Sequence, residues 1–329
     1  MSSQHEKICA SLGVKTFRFE AEKILRKHEL LQIQMVDGWV SFGNQCITKS
    51  KIASRKIGNL LKKAHHAKLF QSLESKGKST TWLNTAKVVG GELSFLWLTR
   101  ARLDARVEAI AIAAQEQAVQ TKAHPAVRQG AVHTVCRLCL KGKEDVLHFL
   151  SLCPQLQKSL HIDRHDEVCK EIYRSITRQY GFHGISARQK PDQLVENDQA
   201  KVYWNMLLHT VNDMSERKPD IVVFDKRTKE ITVYEVTVPF PRRLPAARSE
   251  KLAKYLPLKA DLAQQYKEEG WSINLETFAV GTLGESDETC FKQCKRIAGG
   301  GREGKVLLAA IQRAAVLGSV RALKQMLKL

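Results

Sequence analysis

The clearest hydrophobic pattern in the chain lies between residues 216 and 240, in ERKPDIVVFDKRTKEITVYEVTVPF. DIVVFD and EITVYEVTV are rich in Val, Ile, Tyr and Thr, which suit a pleated, half-buried surface, and the polar KRTK between them reads as a loop. The pattern predicts a β-hairpin in which Asp225 opposes Glu230, so that Asp220 stands directly opposite Glu235. Val222, Phe224, Ile231 and Val233 share the face of that pair, which is therefore expected to be the packed one. WSINLETFAVGTLG predicts a third strand. The segment PAARSEKLAKYLPLKADLAQQYKEEG before it predicts a helix that starts near Pro245 and is interrupted at Pro257.

Helical periodicity dominates elsewhere. FRFEAEKILRKHELLQIQM and FLWLTRARLDARVEAIAIAAQEQAVQ make residues 1 to about 130 mainly helical, up to HPAVRQG, where Pro125 and Gly130 mark a linker. From Glu167 onward Val168, Ile172 and Ile176 form an apolar stripe, with Arg164, His165 and Asp166 just before it and Asp166 placed to cap the helix. After GGGREGK, the stretch Val306 to Leu329 reads as a packing helix with Arg313, Arg321, Lys324 and Lys328 off its apolar stripe. Together these elements predict an α/β protein. Its parts are a helical segment over 1–130, a small cysteine-bearing module over 131–166, an α/β core over 167–285 and a basic helical tail over 286–329.

Composition narrows the partners. The chain has 329 residues, a formal net charge of +19 and 53 Lys and Arg against 34 Asp and Glu, so a polyanion is the expected partner. Residues 48–68 hold seven Lys or Arg and no acid, suited to phosphate contact or nuclear targeting and equally to a solvated helix face. The pattern contains no run of 18 apolar residues and no signal peptide, so no membrane role is expected. Eight cysteines, unevenly spread, fit a reducing compartment better than a disulfide scaffold.

Three constellations carry chemistry. Two like charges directly opposed across a strand pair repel unless a positive group sits between them, and a divalent cation such as Mg²⁺ or Mn²⁺ answers that need for Asp220 and Glu235. The spacing Cys136-x2-Cys139-x8-His148-x4-Cys153 supplies four soft ligands locally, as a closed, structural Zn²⁺ site requires. Cys290 and Cys294 form a near pair that lacks completing ligands. Arg100, Arg102 and Arg106 beside Trp97 suit stacking and phosphate contact, or an ordinary helix with a core Trp. In an acid-x-lysine arrangement position 237 would carry Lys; it carries Thr237, so a needed positive charge falls to the following helix, on Lys251 or Lys254.

The order of these motifs, a zinc knuckle, then Arg-His-Asp, then Pro-Asp-x14-Glu with the lysine displaced onto a helix bearing Lys-Tyr, resembles the C-terminal region of site-specific non-long-terminal-repeat retrotransposon proteins over roughly residues 90 to 285. Those proteins carry a restriction-like endonuclease of the PD-(D/E)xK type after a reverse transcriptase. The resemblance implies that Asp220 and Glu235 bind the catalytic metal, with Lys254 the first choice for the displaced lysine and Lys251 the second. It implies zinc on Cys136, Cys139, His148 and Cys153, and nucleic-acid contact by Arg164 and His165. The implied partners are target DNA and the element RNA, the implied compartment the nucleus, and the implied reaction nicking that primes reverse transcription. Glu stands at 235 where some members use Asp. No Ala-Asp-Asp polymerase signature is found, so the chain is expected to be a C-terminal fragment or truncated copy that does not copy RNA itself. A module that binds nucleic acid but has lost cleavage is the competing expectation.

Overall fold

A computed structural model describes residues 33–36, 39–42, 45–48, 71, 91–124, 134–183, 189–209 and 218–327. The chain divides into two compact units, Met1–Thr80 and Thr81–Leu329. In the first, β1 (Ile33–Val36), β2 (Trp39–Phe42) and β3 (Gln45–Thr48) form an antiparallel three-stranded sheet in that order. This corrects the helical expectation, since Ile33–Met35 ends the segment read as an amphipathic helix. Asp37-Gly38 and Gly43-Asn44 link the strands, and such pairs favour the tight turns of hairpins over helix continuation. The basic stretch at 49–68 and the linker at 125–130 lie outside the described residues.

The second unit opens with α1 (Leu96–Arg100) and α2 (Ala105–Gln115), which the sequence pattern had joined into one helix. The chain breaks between them because Arg102 has a positive φ of 50° and the Asp104 side chain caps α2 by accepting from Arg106 N–H. A π-helical turn, His148–Leu152, and a single helical turn, Pro154–Gln157, lead into α3 (Leu160–Gln179). That helix starts earlier than the pattern suggested, so Asp166 lies inside it and does not cap it.

The central sheet comprises β4 (Leu194–Glu196), β5 (Ala200–Trp204), β6 (Ile221–Asp225), β7 (Glu230–Thr237) and β8 (Ser272–Ala279), ordered β4-β5-β6-β7-β8. β4 to β7 are antiparallel, and β8 joins parallel to β7 after a crossover through α4 (Leu244–Gln265). The hairpin has the expected register, with Asp225 opposite Glu230. Two helices complete the unit, α5 (Glu288–Ile297) and α6 (Gly301–Leu327).

Both faces of the sheet are buried, whereas the alternation had suggested one. Val222, Phe224, Ile231 and Val233 pack on Tyr255, Leu258 and Leu262 of α4. On the other side Ile221, Val223, Tyr234 and Val236 pack on Val168, Ile172 and Ile176 of α3, with α5 and α6 closing the cluster through Cys290, Cys294, Leu308 and Ile311. A near-continuous apolar run such as IVVF is the pattern of a strand covered twice. Cys290 and Cys294 are therefore core residues.

Pro257 does not interrupt α4, which continues to Gln265. Pro257 and Ala253, whose carbonyl loses its donor, both lie on the exposed side, while the buried stripe holds the helix together. α6 is long and apolar enough by composition to cross a membrane, with a mean hydropathy of 1.5 in its most apolar window, yet 72% of that window is buried in the protein. Trp97 is wholly buried against Ala111, Val316 and Val320, as a core Trp.

Candidate functional site

The first cluster is built within one short stretch. Cys136 N–H donates to Gly142 C=O at 2.7 Å and Leu140 N–H to Cys136 C=O at 2.9 Å, closing the turn that carries Cys136 and Cys139. Asp145 accepts from His148 N–H at 2.8 Å and sets the π-helical turn, which delivers His148 and then Cys153. The four ligand atoms of Cys136, Cys139, His148 and Cys153 all lie within 4.8 Å of one another, with Cys139 Sγ 3.2 Å from His148 Nε2. A tetrahedral site with bonds of about 2.0 to 2.3 Å places its ligand atoms about 3.3 to 3.8 Å apart, inside that limit.

Gly142 is required here, because a Cβ at that position would lie 2.3 Å from the imidazole of His148. Backbone N–H groups of Gly142 and Lys141 draw the Cys139 thiol down to about 6, against its burial, which favours the thiolate a metal needs. Buried Glu144 braces the turn, taking both Nε (2.9 Å) and Nη2 (2.6 Å) of Arg137 and the backbone N–H of Lys122 and Arg137. This Cys/His cluster can hold a metal ion.

The second cluster is assembled from four elements. Asp220 sits just before β6 and Glu235 near the end of β7, and the hairpin register brings them together: Asp220 N–H donates to Glu235 Oε1 at 3.2 Å, and Val236 N–H to Asp220 Oδ2 at 2.7 Å. Glu235 is 0% exposed, yet Lys251 of α4 reaches it, Nζ to Oε2 2.8 Å. From α3, His165 Nε2 lies 3.3 Å from Asp220 Oδ2 and 3.2 Å from Val236 C=O, while its Nδ1 lies 3.2 Å from Asp166 Oδ1. Lys251 thus lies against Glu235 and His165 against Asp220.

These charges reshape the acids. Burial and the Asp220 charge push Glu235 up to about 7, against the pull of Lys251. Burial also opposes ionisation of Asp220, but His165, Lys251 and the Val236 N–H outweigh it and hold the pKa below the usual carboxylate value. For His165, burial is outweighed by Cys169, Asp166 and Asp220, and the pKa is raised well above that of a free imidazole. Lys251 is likewise raised, as Asp220 and Glu235 outweigh its desolvation.

Of the two lysines, the structure brings Lys251 to the acids. Lys254 is exposed, with Nζ 5.2 Å from the centroid of the Tyr255 ring, whereas Lys251 meets the acids. The sequence held the signal: Lys251 occupies the inward stripe 244, 247, 251, 255, 258, 262, where every other member is a buried apolar or aromatic residue. Tyr255, one turn on, donates its hydroxyl to Lys218 C=O at 3.2 Å beside the acids, and was also missed.

Arg164 is not a surface contact. It is 4% exposed and donates to Ser319 Oγ (3.1 Å), Leu150 C=O (2.9 Å) and Val238 C=O (3.4 Å), tying the π-helical turn to the end of β7 and to α6. Gly318 admits it, since a Cβ there would lie 2.6 Å from the Arg164 side chain. His165 faces the carboxylates at 27% side-chain exposure. Arg100, Arg102 and Arg106 are exposed on α1, the break and α2. Compared with protein families and with curated proteins, the chain matches none.

Proposed function

We propose that this protein is a divalent-metal-dependent DNA endonuclease with a restriction-like core and a structural zinc knuckle, of the kind found in non-long-terminal-repeat retrotransposon proteins. The observation that carries the reading is the joining of Asp220 and Glu235 across the β6/β7 end, with Lys251 at 2.8 Å from Glu235 although position 237 is Thr. Two carboxylates supply the hard oxygen donors that Mg²⁺ or Mn²⁺ takes.

When bound, the ion supplies Lewis acidity and a more nucleophilic water at the phosphodiester. Asp220 and Glu235 are the residues that hold it. Lys251, fixed by Glu235 and by the packed stripe of α4, presents a positive charge where negative charge develops on the phosphate. The Cys3His cluster, having four protein ligands, holds Zn²⁺ in a closed structural role. The exposed arginines of α1 and α2 and the net charge of +19 supply salt-sensitive backbone binding to target DNA and element RNA in the nucleus.

Nicking of supercoiled plasmid by the zinc-loaded chain tests this. Conversion to open circles with Mg²⁺ or Mn²⁺, absent without metal and in Asp220→Ala, is the expected outcome. Salt-sensitive DNA binding with no nicking in either metal would assign the chain to the binding-only reading.

A further inference from the structure

We propose that His165 is a positioning residue that anchors one oxygen of Asp220 and so leaves the other to hold the ion that the endonuclease reading requires; this rests on the endonuclease reading above. The partners of the imidazole define its role. Nε2 lies 3.2 Å from the carbonyl of Val236, which can only accept, and Nδ1 lies 3.2 Å from a carboxylate oxygen of Asp166. Nε2 therefore donates to that carbonyl, and the ring is wedged between the carboxylates of Asp166 and Asp220, with Cys169 Sγ 3.7 Å from both ring nitrogens.

Nε2 is also 3.3 Å from Asp220 Oδ2, the oxygen that already accepts from Val236 N–H at 2.7 Å. Oδ2 is thus held by the backbone of β7 and lies against Nε2 of His165, whereas Oδ1 makes neither contact. A carboxylate pinned through one oxygen offers the other in a fixed direction, and groups that pin metal ligands in this way typically contribute about 10- to 100-fold to metal affinity. The ring itself is held in place, since α3 buries Val168 and Cys169 on the turn beyond it and Arg164 on its N-terminal side. At 27% side-chain exposure His165 faces the acids, and a phosphate would have to compete with Asp220 and Asp166 for its ring nitrogens.

The test is Mn²⁺ binding to the full zinc-loaded chain, followed by electron paramagnetic resonance, together with DNA affinity measured in the absence of divalent metal. His165→Ala should weaken Mn²⁺ binding by about 10- to 100-fold and leave metal-free DNA affinity unchanged. His165→Gln, whose amide can still donate toward Oδ2, should recover most of the loss, and both variants should melt close to the parent chain. Unaltered Mn²⁺ affinity in His165→Ala overturns the proposal, as does a loss of metal-free DNA affinity with metal binding intact, which would make His165 a phosphate contact. Equal impairment of both variants with a lowered melting temperature would make it a structural residue only. Mn²⁺ binding in the parent that survives Asp220→Ala would remove the endonuclease reading itself.

Discussion

The cysteine/histidine cluster and the carboxylate cluster are built by opposite routes. Cys136 to Cys153 bring all four ligands from one stretch of 18 residues, closed by its own backbone turns and by the Arg137–Glu144 pair. Asp220, Glu235, Lys251 and His165 come from four elements spread over residues 165–251 and meet only when β6 pairs with β7, α4 packs on one face of the sheet and α3 on the other. A cluster of the first kind has all its candidate ligands in one segment, although its cysteines also pack on Val119, Leu283 and Leu323 from elsewhere in the chain. A cluster of the second kind depends on the packing of the whole unit, and its geometry is as rigid as the helices that carry it. The two are nonetheless joined, because Arg164 bonds the π-helical turn and the end of β7 while the next residue, His165, faces Asp220.

The sharpest way to break this contrast is to load the cysteine cluster with Zn²⁺ and then chelate the ion. Structural zinc contributes about 10 to 16 kcal/mol to the folding of isolated zinc-finger peptides, so chelation should strip hydrogen-exchange protection from residues 134–157. Protection in β6 and β7 should persist, as their core lies on α4 and on the body of α3. Simultaneous loss in the sheet would show that the first cluster is not local.

Next in size is the lysine comparison. Lys251→Ala should reduce the nicking rate by about 10²- to 10³-fold, the usual cost of removing one fixed group that stabilises developing charge. Lys254→Ala, which removes a solvated ammonium, should stay close to the parent rate. The reverse ranking would place the exposed lysine over the phosphate and would show that α4 rotates when substrate binds.

The smallest effect concerns the segment between the clusters. Residues 279–286 are buried throughout, with Leu283 in the core beneath the cysteines and Thr282 N–H bonded to Pro239 C=O beyond β7. Burial pushes Glu285 in this segment up to about 7, against the hydrogen bonds from Leu283 N–H and Gln115. Between the unfolded pKa of 4.5 and about 7 the unfolded chain releases this proton while the folded chain keeps it, so stability falls as pH rises. The full fall is at most about 3 kcal/mol and levels off above that window. Glu285→Gln should abolish its share of the slope and raise stability at pH 8, as read from urea unfolding at pH 4 and pH 8.

What was legible in the sequence was what short-range rules govern. Strand alternation and the four-residue loop predicted the hairpin register, and with it the meeting of Asp220 and Glu235, because side-chain direction in a strand repeats every two residues regardless of what packs on it. The ligand spacing at 136–153 was legible for the same reason: the turn and the short helix bring the ligands together within one segment. The sequence also held signals that were read too weakly. Asp37-Gly38 and Gly43-Asn44 marked a strand meander, and Arg164 continued the stripe of Val168, Ile172 and Ile176 one turn upstream.

Only the tertiary structure decided which charges enter the site. Lys251 and Lys254 are both plausible from spacing, and the choice between them is made by the rotation of α4 that buries Tyr255, Leu258 and Leu262 against the sheet. Arg164 and His165 are neighbours of similar character, yet helix geometry sends one into the core toward Leu150 and Ser319 and the other to Asp220. Burial on both faces of β6 and β7 likewise follows from where α3 and α4 lie. The sequence determined the elements and the local ligand set; the packing of helices on two sheet faces determined the charge constellation, because long-range burial selects among side chains that local pattern leaves equivalent.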